Sequence, residues 1–179
     1  MTPSNLLIIL LLLSSAAFFL GRKRAFAVVK TTGGPKVLHS RPGYYGVLTA
    51  LWCGIPAVMV FSFWLAFEPT LITDMVLGSL PEQIRNLPED QLNLILNDIR
   101  NLVNGNIVSG EVSEAIKNAA DHYIRLQHVS HAALSVIAMV LAILCALAVH
   151  RIIKPEFRAR NHVEKVIKII LIACSTLAI

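Results

Sequence analysis

Long apolar runs alternate with polar stretches along this chain of 179 residues. The three longest apolar runs cover residues 5–21, about 44–67 and about 128–153. A helix of roughly 20 mostly apolar residues crosses about 30 Å of hydrocarbon. The pattern therefore predicts three transmembrane helices in an all-α integral membrane protein.

The last part of the chain repeats the pattern only in part. Residues 154–179 begin with a stretch rich in basic residues and then turn apolar after Lys168. This apolar tail is too short to cross a bilayer. We interpret residues 154–179 as a cytoplasmic linker followed by the start of a truncated fourth helix, in a chain that is a fragment of a longer protein. Pro155 marks where the third helix should end or bend.

The distribution of charged residues predicts the orientation of these helices across the membrane. The stretch between the first two runs, residues 21–46, has six Lys or Arg residues and no Asp or Glu. Basic loops of this kind stay on the cytoplasmic side. A cleaved signal peptide is not expected, because the basic residues follow the first apolar run instead of preceding it. Residues 1–67 thus read as a transmembrane hairpin with its N-terminus outside. The apolar flanks argue against the alternative, a basic surface loop of a soluble protein that binds nucleic acid.

The segment between the second and third runs has the opposite character. Residues 68–127 hold nine of the eleven acidic residues of the chain and four basic ones. We therefore predict a small periplasmic helical segment here. Ser79 with Glu82, and Asn86 with Glu89, have the spacing of capping boxes.

Apolar positions then mark one face of a helix that should end at Asn104-Gly105. The face comprises Leu92, Ile95, Leu96, Ile99, Leu102 and Val103. A further helix should begin near Ser109 or Glu111 and continue without interruption into the third run, residues 128–153.

Composition supports the membrane assignment. Hydrophobic residues make up 55% of the chain and charged residues 15%, with a net charge of +5. Because the basic residues lie beside apolar runs, the expected partner of that charge is anionic lipid and not nucleic acid. Cys53, Cys145 and Cys174 lie within apolar stretches, so we interpret them as buried apolar residues without disulfide or metal chemistry.

Candidate chemistry is sparse. His128 and His131 share a helical face and suggest a metal site with His122, but interfacial histidines explain the pattern better. Glu89, Asp90 and Asp98 are interpreted as helix N-terminal charges and a solvated face. The sequence indicates no catalytic, cofactor-binding or metal-binding residue, assigns no substrate-binding residue, and predicts that the protein is not an enzyme.

The apolar runs themselves give no sign of an ion pathway. They contain no deeply placed ionisable residue, which favours a scaffold over a conduit. Gly54 and Pro56, in the middle of the second run, are expected to produce a kink or a close helix contact.

Two short motifs carry a resemblance to a known family. FFLGRKRA at residues 18–25 and LHSRPGYYG at residues 38–46 resemble the N-terminal extension of PstC-type permease subunits of bacterial phosphate ABC transporters. The order of helices and loops is similar over almost the whole chain. In such permeases the pore and the loop that binds the ATPase lie in a core beyond this extension, so no transport residue is assigned here.

The resemblance implies a multi-pass protein of the bacterial inner membrane that takes part in ATP-driven phosphate uptake. Its implied partners are a second permease subunit, a cytoplasmic ATPase subunit and a periplasmic phosphate-binding protein. Within that assembly the extension would serve as a scaffold, assembly or regulatory part. The alternative is a membrane-anchored sensory or adaptor module with a periplasmic helical cap.

Overall fold

The computed structural model describes residues 2–31, 39–105, 113–154 and 156–178. Within these ranges the chain forms helices and no strand. The helices are α1 (Pro3–Thr31), α2 (Pro42–Ser79), α3 (Glu82–Arg85), α4 (Glu89–Val103), α5 (Glu114–Ile152) and α6 (Ala159–Leu177). The prediction of an all-α fold is confirmed.

Three of these helices are long and apolar enough to cross a membrane. They are α1, α2 and α5, as the three apolar runs predicted. The linker predicted up to Lys168 is wrong from Ala159 onward, because these residues are helical and form α6 together with the apolar tail. The single uninterrupted helix expected to lead into the third run is also present as α5, while its expected start at Ser109 or Glu111 lies outside the described residues.

Helix α1 is longer than its apolar run. The sequence placed a loop from Gly21 onward, and this is wrong for residues 22–31, which continue α1 up to Thr31. Ala25, Ala27 and the basic side chains are good helix formers, and no glycine or proline interrupts them before Gly33. The rest of the predicted loop up to residue 38 lies outside the described residues.

The two expected capping boxes are absent. Helix α3 follows Pro81 and α4 follows Pro88, and neither helix has a side-chain cap. The Ser79 hydroxyl instead donates to the carbonyl oxygen of Val76 at 2.7 Å, because α2 continues to Ser79 and makes this residue a helix end. The other end of α4 behaves as predicted, with Gly105 at φ 72° after the last helical turn.

The chain divides into two compact units. We call residues 61–135 the short-helix unit and residues 2–60 with 136–179 the long-helix unit. The short-helix unit has an apolar core made of Ile72, Val76, Leu80, Ile99, Ala119 and Ala120. Ile95, Leu102 and Val103 pack against it, as the predicted apolar face of α4 requires.

The long-helix unit has its own core. It consists of Ala25 of α1, Tyr45 and Leu48 of α2, Val149 and Ile153 at the end of α5, and Ala159 and Val163 of α6. The cysteines differ from expectation, since Cys53 is buried but Cys145 is half-buried and Cys174 is exposed. Many large apolar side chains of α1, α2 and α5 are also exposed, as helices in contact with lipid require.

Candidate functional site

Two glycines bring α1 and α2 into close contact in the long-helix unit. A β-carbon at Gly21 would collide with the side chain of Thr49 and would lie 2.8 Å from the carbonyl oxygen of Tyr45. A β-carbon at Gly46 would lie 2.8 Å from the carbonyl oxygen of Phe18. Small residues allow membrane helices to approach until backbone meets side chain. Glycine at these two positions is therefore required by the contact itself.

This contact joins the two sequence motifs. Phe18 and Gly21 belong to FFLGRKRA, and Tyr45 and Gly46 belong to LHSRPGYYG. Gly54 brings α2 similarly close to α1 further along the helix. A β-carbon at Gly54 would lie 2.9 Å from the Ser14 hydroxyl. The close helix contact expected at Gly54 is confirmed.

Tyr45 connects this helix pair to the chain that follows α5. Its side chain is fully buried, and its hydroxyl donates a hydrogen bond of 2.6 Å to the carbonyl oxygen of Phe157. Phe157 lies in the short connection before α6. By donating to this part-buried carbonyl oxygen, the Tyr45 hydroxyl holds the connection against α2.

Ser40 makes a second connection to α6. The backbone N–H of Arg160, in the first turn of α6, donates to the Ser40 hydroxyl oxygen at 3.2 Å. The first N–H groups of a helix have no partner within that helix. A serine far away in the sequence thus satisfies a group that helix capping usually satisfies locally. We call Ser40, Tyr45, Gly46, Phe157 and Arg160 the helix junction.

Two further side-chain contacts lie at the start of α6. Arg160 Nε donates to Glu164 Oε1 at 2.5 Å, one turn further along the helix. This hydrogen bond and the carboxylate charge raise the pKa of the Arg160 guanidinium. The rings of Phe157 and His162 stack with their centres 4.8 Å apart.

The short-helix unit contains a polar pair that sequence reasoning missed. Glu68 of α2 is buried, with 5% of its surface exposed, and its Oε2 lies 3.1 Å from Nε2 of His131 on α5. Close by in sequence, the Trp64 indole N–H donates to the Ser130 hydroxyl oxygen at 2.8 Å. Glu68 looked like the first residue of a solvated acidic segment. Only the pairing of α2 with α5 reveals that it is buried.

The histidines do not form the suggested metal site. His122 Nδ1 lies 3.2 Å from the Ser79 hydroxyl, His128 is exposed, and His131 contacts Glu68. The described part of the chain contains no group of three or more metal-ligating side chains. Glu89 and Asp90 lie in the first turn of α4, as interpreted from the sequence.

The basic residues of the short-helix unit have separate surroundings. Arg85 pairs with Glu82 at 3.6 Å, and Arg100 donates to the Thr73 hydroxyl at 3.3 Å. Arg125 lines a cavity of about 550 Å³ that also has Glu114 on its wall. An anion site needs several hydrogen-bond donors directed to one point. The donors of Arg85 and Arg100 instead contact different partners, Glu82 and Thr73.

The class of protein follows from the fold. Three helices of membrane-spanning length and composition, with exposed apolar faces, define a helical membrane protein. A family model described as phosphate ATP-binding cassette transporter matches residues 7–179. The chain therefore belongs to the phosphate ATP-binding cassette transporter family. No curated protein and no solved structure matches it.

Proposed function

We propose that residues 1–179 form the N-terminal membrane region of a PstC-type permease subunit in a bacterial phosphate importer. In this proposal the region lies in the inner membrane with its N-terminus in the periplasm, and residues 68–127 form the periplasmic segment. It contributes to ATP-driven uptake by assembly and positioning, without catalytic chemistry of its own. Membership of the phosphate transporter family and the three span-like helices support it.

The helix junction is the observation that carries this proposal. The hydrogen bond from Tyr45 to the carbonyl oxygen of Phe157 and that from the Arg160 N–H to Ser40 join the α1–α2 hairpin to the beginning of α6. In the proposed permease, α6 leads into the core that holds the pore. The hairpin would then hold the first core helix in place while the second permease subunit and the ATPase assemble around it.

The proposal predicts that the junction affects assembly before it affects transport chemistry. Gly46→Leu in the full-length subunit should lower the amount of second permease subunit and ATPase that copurify with it, and should lower uptake of radiolabelled phosphate in proportion. Gly78→Leu is the matched control, because nothing lies near a β-carbon at that position. Normal assembly and uptake after deletion of residues 1–153 would contradict the proposal.

The same deletion distinguishes this proposal from the alternative of a sensory or adaptor module. A sensory or adaptor module predicts that the deletion leaves complex assembly and uptake intact but abolishes the response of the cell to external phosphate. Loss of uptake with normal assembly would instead assign a direct transport role to this region.

We further propose that this region does not itself bind phosphate. Arg85, Arg100 and Arg125 have the separate surroundings described above, and acidic side chains accompany two of them. Equilibrium binding of radiolabelled phosphate to the purified 179-residue chain should show no specific binding at micromolar concentrations. Saturable binding would refute this part of the proposal.

A further inference from the structure

A groove lies between α2 and α6 in the long-helix unit. Near the N-terminal ends of these helices, Tyr45 and Leu48 of α2 share one apolar core with Ala159 and Val163 of α6. Further along both helices a groove of about 580 Å³ begins, and we call it the α2–α6 groove. Its walls include Leu51, Ile55 and Met59 on α2 and Val166, Ile169 and Ala173 on α6.

The lining of the α2–α6 groove is apolar. It consists of aliphatic side chains, one methionine, one proline, one tryptophan and one thiol. This surface is also open, because Trp52 is 48% exposed, Met59 66% and Ile169 57%. An open apolar surface of this kind is typical of a binding site or of contact with lipid. Since α2 is long and apolar enough to cross a membrane, an apolar molecule from the bilayer suits the groove.

The dimensions of the groove favour a slender occupant. Its lining extends from Leu51 to Met59 on α2 and from Val166 to Cys174 on α6, which is about 12 Å at the rise of an α-helix. A piece of helix of that length, about 10 Å wide with its side chains, fills about 900 Å³. This exceeds the volume of the groove. A further helix therefore does not fit between α2 and α6, whereas an extended hydrocarbon chain does.

Positive charge lies at one end of the groove. Lys165 directly precedes Val166, where the lining of α6 begins, and Lys168 follows within one helical turn. Both lysines are exposed, and neither has an ion-pair partner among the described residues. The neighbouring carboxylate of Glu164 is paired with Arg160 instead. An apolar groove with uncompensated lysines at one end is complementary to a molecule with a hydrocarbon chain and an anionic head.

We propose that the α2–α6 groove binds an anionic phospholipid, with an acyl chain along its apolar walls and the phosphate group at Lys165 and Lys168. Basic side chains near the membrane surface attract anionic lipid, and each contributes about fivefold in affinity. A zwitterionic lipid has the same chains but no net charge, so it lacks this attraction. The proposal requires only that α2 lies in a bilayer and is independent of the permease partners proposed above.

Trp52 lines the groove and provides a reporter for the bound chain. The chain has two tryptophans, so Trp64→Phe leaves Trp52 as the single emitter. Bromine atoms on an acyl chain quench the emission of a tryptophan that they contact. In phosphatidylcholine nanodiscs containing the full 179-residue chain, brominated phosphatidylglycerol should reach half-maximal quenching at a mole fraction roughly 25-fold lower than brominated phosphatidylcholine, because two lysines contribute about fivefold each.

Substitution of the lysines tests the site of the head group. Lys165→Gln combined with Lys168→Gln should bring the two brominated lipids to nearly equal mole fractions at half-maximal quenching. Lys117→Gln combined with Arg125→Gln is the matched control, since it removes the same charge from exposed residues of the short-helix unit. Loss of the preference in this control as well would show a general effect of net charge and would overturn the proposed site.

Filling the groove tests the site of the acyl chain. Ala173→Leu should weaken quenching by phosphatidylglycerol, whereas Ala148→Leu, at an exposed position on α5, should not. Native mass spectrometry needs no variant: the unchanged chain, released from nanodiscs with equal amounts of both lipids, should retain phosphatidylglycerol in preference to phosphatidylcholine. Equal retention and equal quenching by the two lipids would mean ordinary contact with the bilayer and would overturn the proposal. Quenching by neither lipid would mean that protein covers the groove and would equally overturn it.

Discussion

The long-helix unit and the short-helix unit solve the problem of holding helices together in different ways. In the long-helix unit, Gly21 and Gly46 let α1 and α2 approach until a β-carbon no longer fits. In the short-helix unit, larger apolar side chains such as Ile72, Val76 and Ile99 fill the space between α2, α4 and α5. The α1–α2 contact depends on the absence of side chains at two positions, whereas the core of the short-helix unit depends on their presence.

The difference is the one expected if, as proposed, the long helices lie in lipid and residues 68–127 lie outside it. Between helices in lipid, an apolar side chain gains little by leaving the surroundings, so close packing and hydrogen bonds decide the association. A short amphipathic helix such as α4 gains by removing its apolar face from water. The comparison therefore predicts which kind of substitution should damage each unit.

The largest effect is expected from Ile99→Ala in the short-helix unit. Ile99 is 1% exposed, and removing such a side chain leaves a cavity that costs about 2–5 kcal/mol. Hydrogen exchange should rise in residues 61–135 and remain unchanged in residues 2–60. Leu94→Ala is the control, because Leu94 lies on the same helix and is 64% exposed. Equal effects of the two substitutions would show that α4 has no defined buried face.

Gly46→Ala should have the next largest effect, and in the other unit. Its β-carbon meets the backbone oxygen of Phe18, which cannot move aside as a flexible side chain can. Overpacking of this kind costs about 1–3 kcal/mol. Thermal unfolding in detergent should occur at a lower temperature for Gly46→Ala, whereas Gly78→Ala should show no loss, since nothing lies near that β-carbon. Loss of stability in both variants would show that α2 tolerates no side chain at its glycines, whether or not a neighbour lies close.

Tyr45→Phe tests the hydrogen bond of the helix junction without changing its packing. The substitution removes the donor to the Phe157 carbonyl oxygen and should cost about 0.5–1.5 kcal/mol. Exchange of the Arg160 amide, which is bound to Ser40, should become faster because the start of α6 is less firmly held. Tyr44→Phe serves as the control on the preceding residue. An unchanged Arg160 amide would mean that the two connections to α6 are independent.

Glu164→Gln should have the smallest effect. The carboxylate accepts a hydrogen bond from Arg160, but both side chains are largely exposed. Exposed pairs one helical turn apart contribute little, and salt weakens them further. We expect no measurable change in unfolding temperature at physiological salt concentration. A clear destabilisation would show that this pair is part of the helix junction and not only a surface contact.

The sequence predicted the elements better than their ends. Periodicity and apolar run length correctly indicated α1, α2, α5 and the apolar face of α4, because burial in lipid or in a core demands those patterns locally. It failed at the end of α1 and at both capping boxes. The ends of a helix depend on which of several competing partners a polar side chain binds. The Ser79 hydroxyl binds the carbonyl oxygen of Val76.

What the sequence determined by itself is the class of protein: helices of membrane-spanning length, their composition, and two motifs typical of a transporter family. The length and composition of an apolar run are properties of consecutive residues, so they can be recognised from the sequence alone. Only the tertiary structure decided that Gly21 and Gly46 mark a single contact, that Tyr45 holds Phe157, and that Glu68 is buried beside His131. These pairings join residues up to 112 positions apart, and no local pattern shows which distant group a carbonyl or carboxylate will contact.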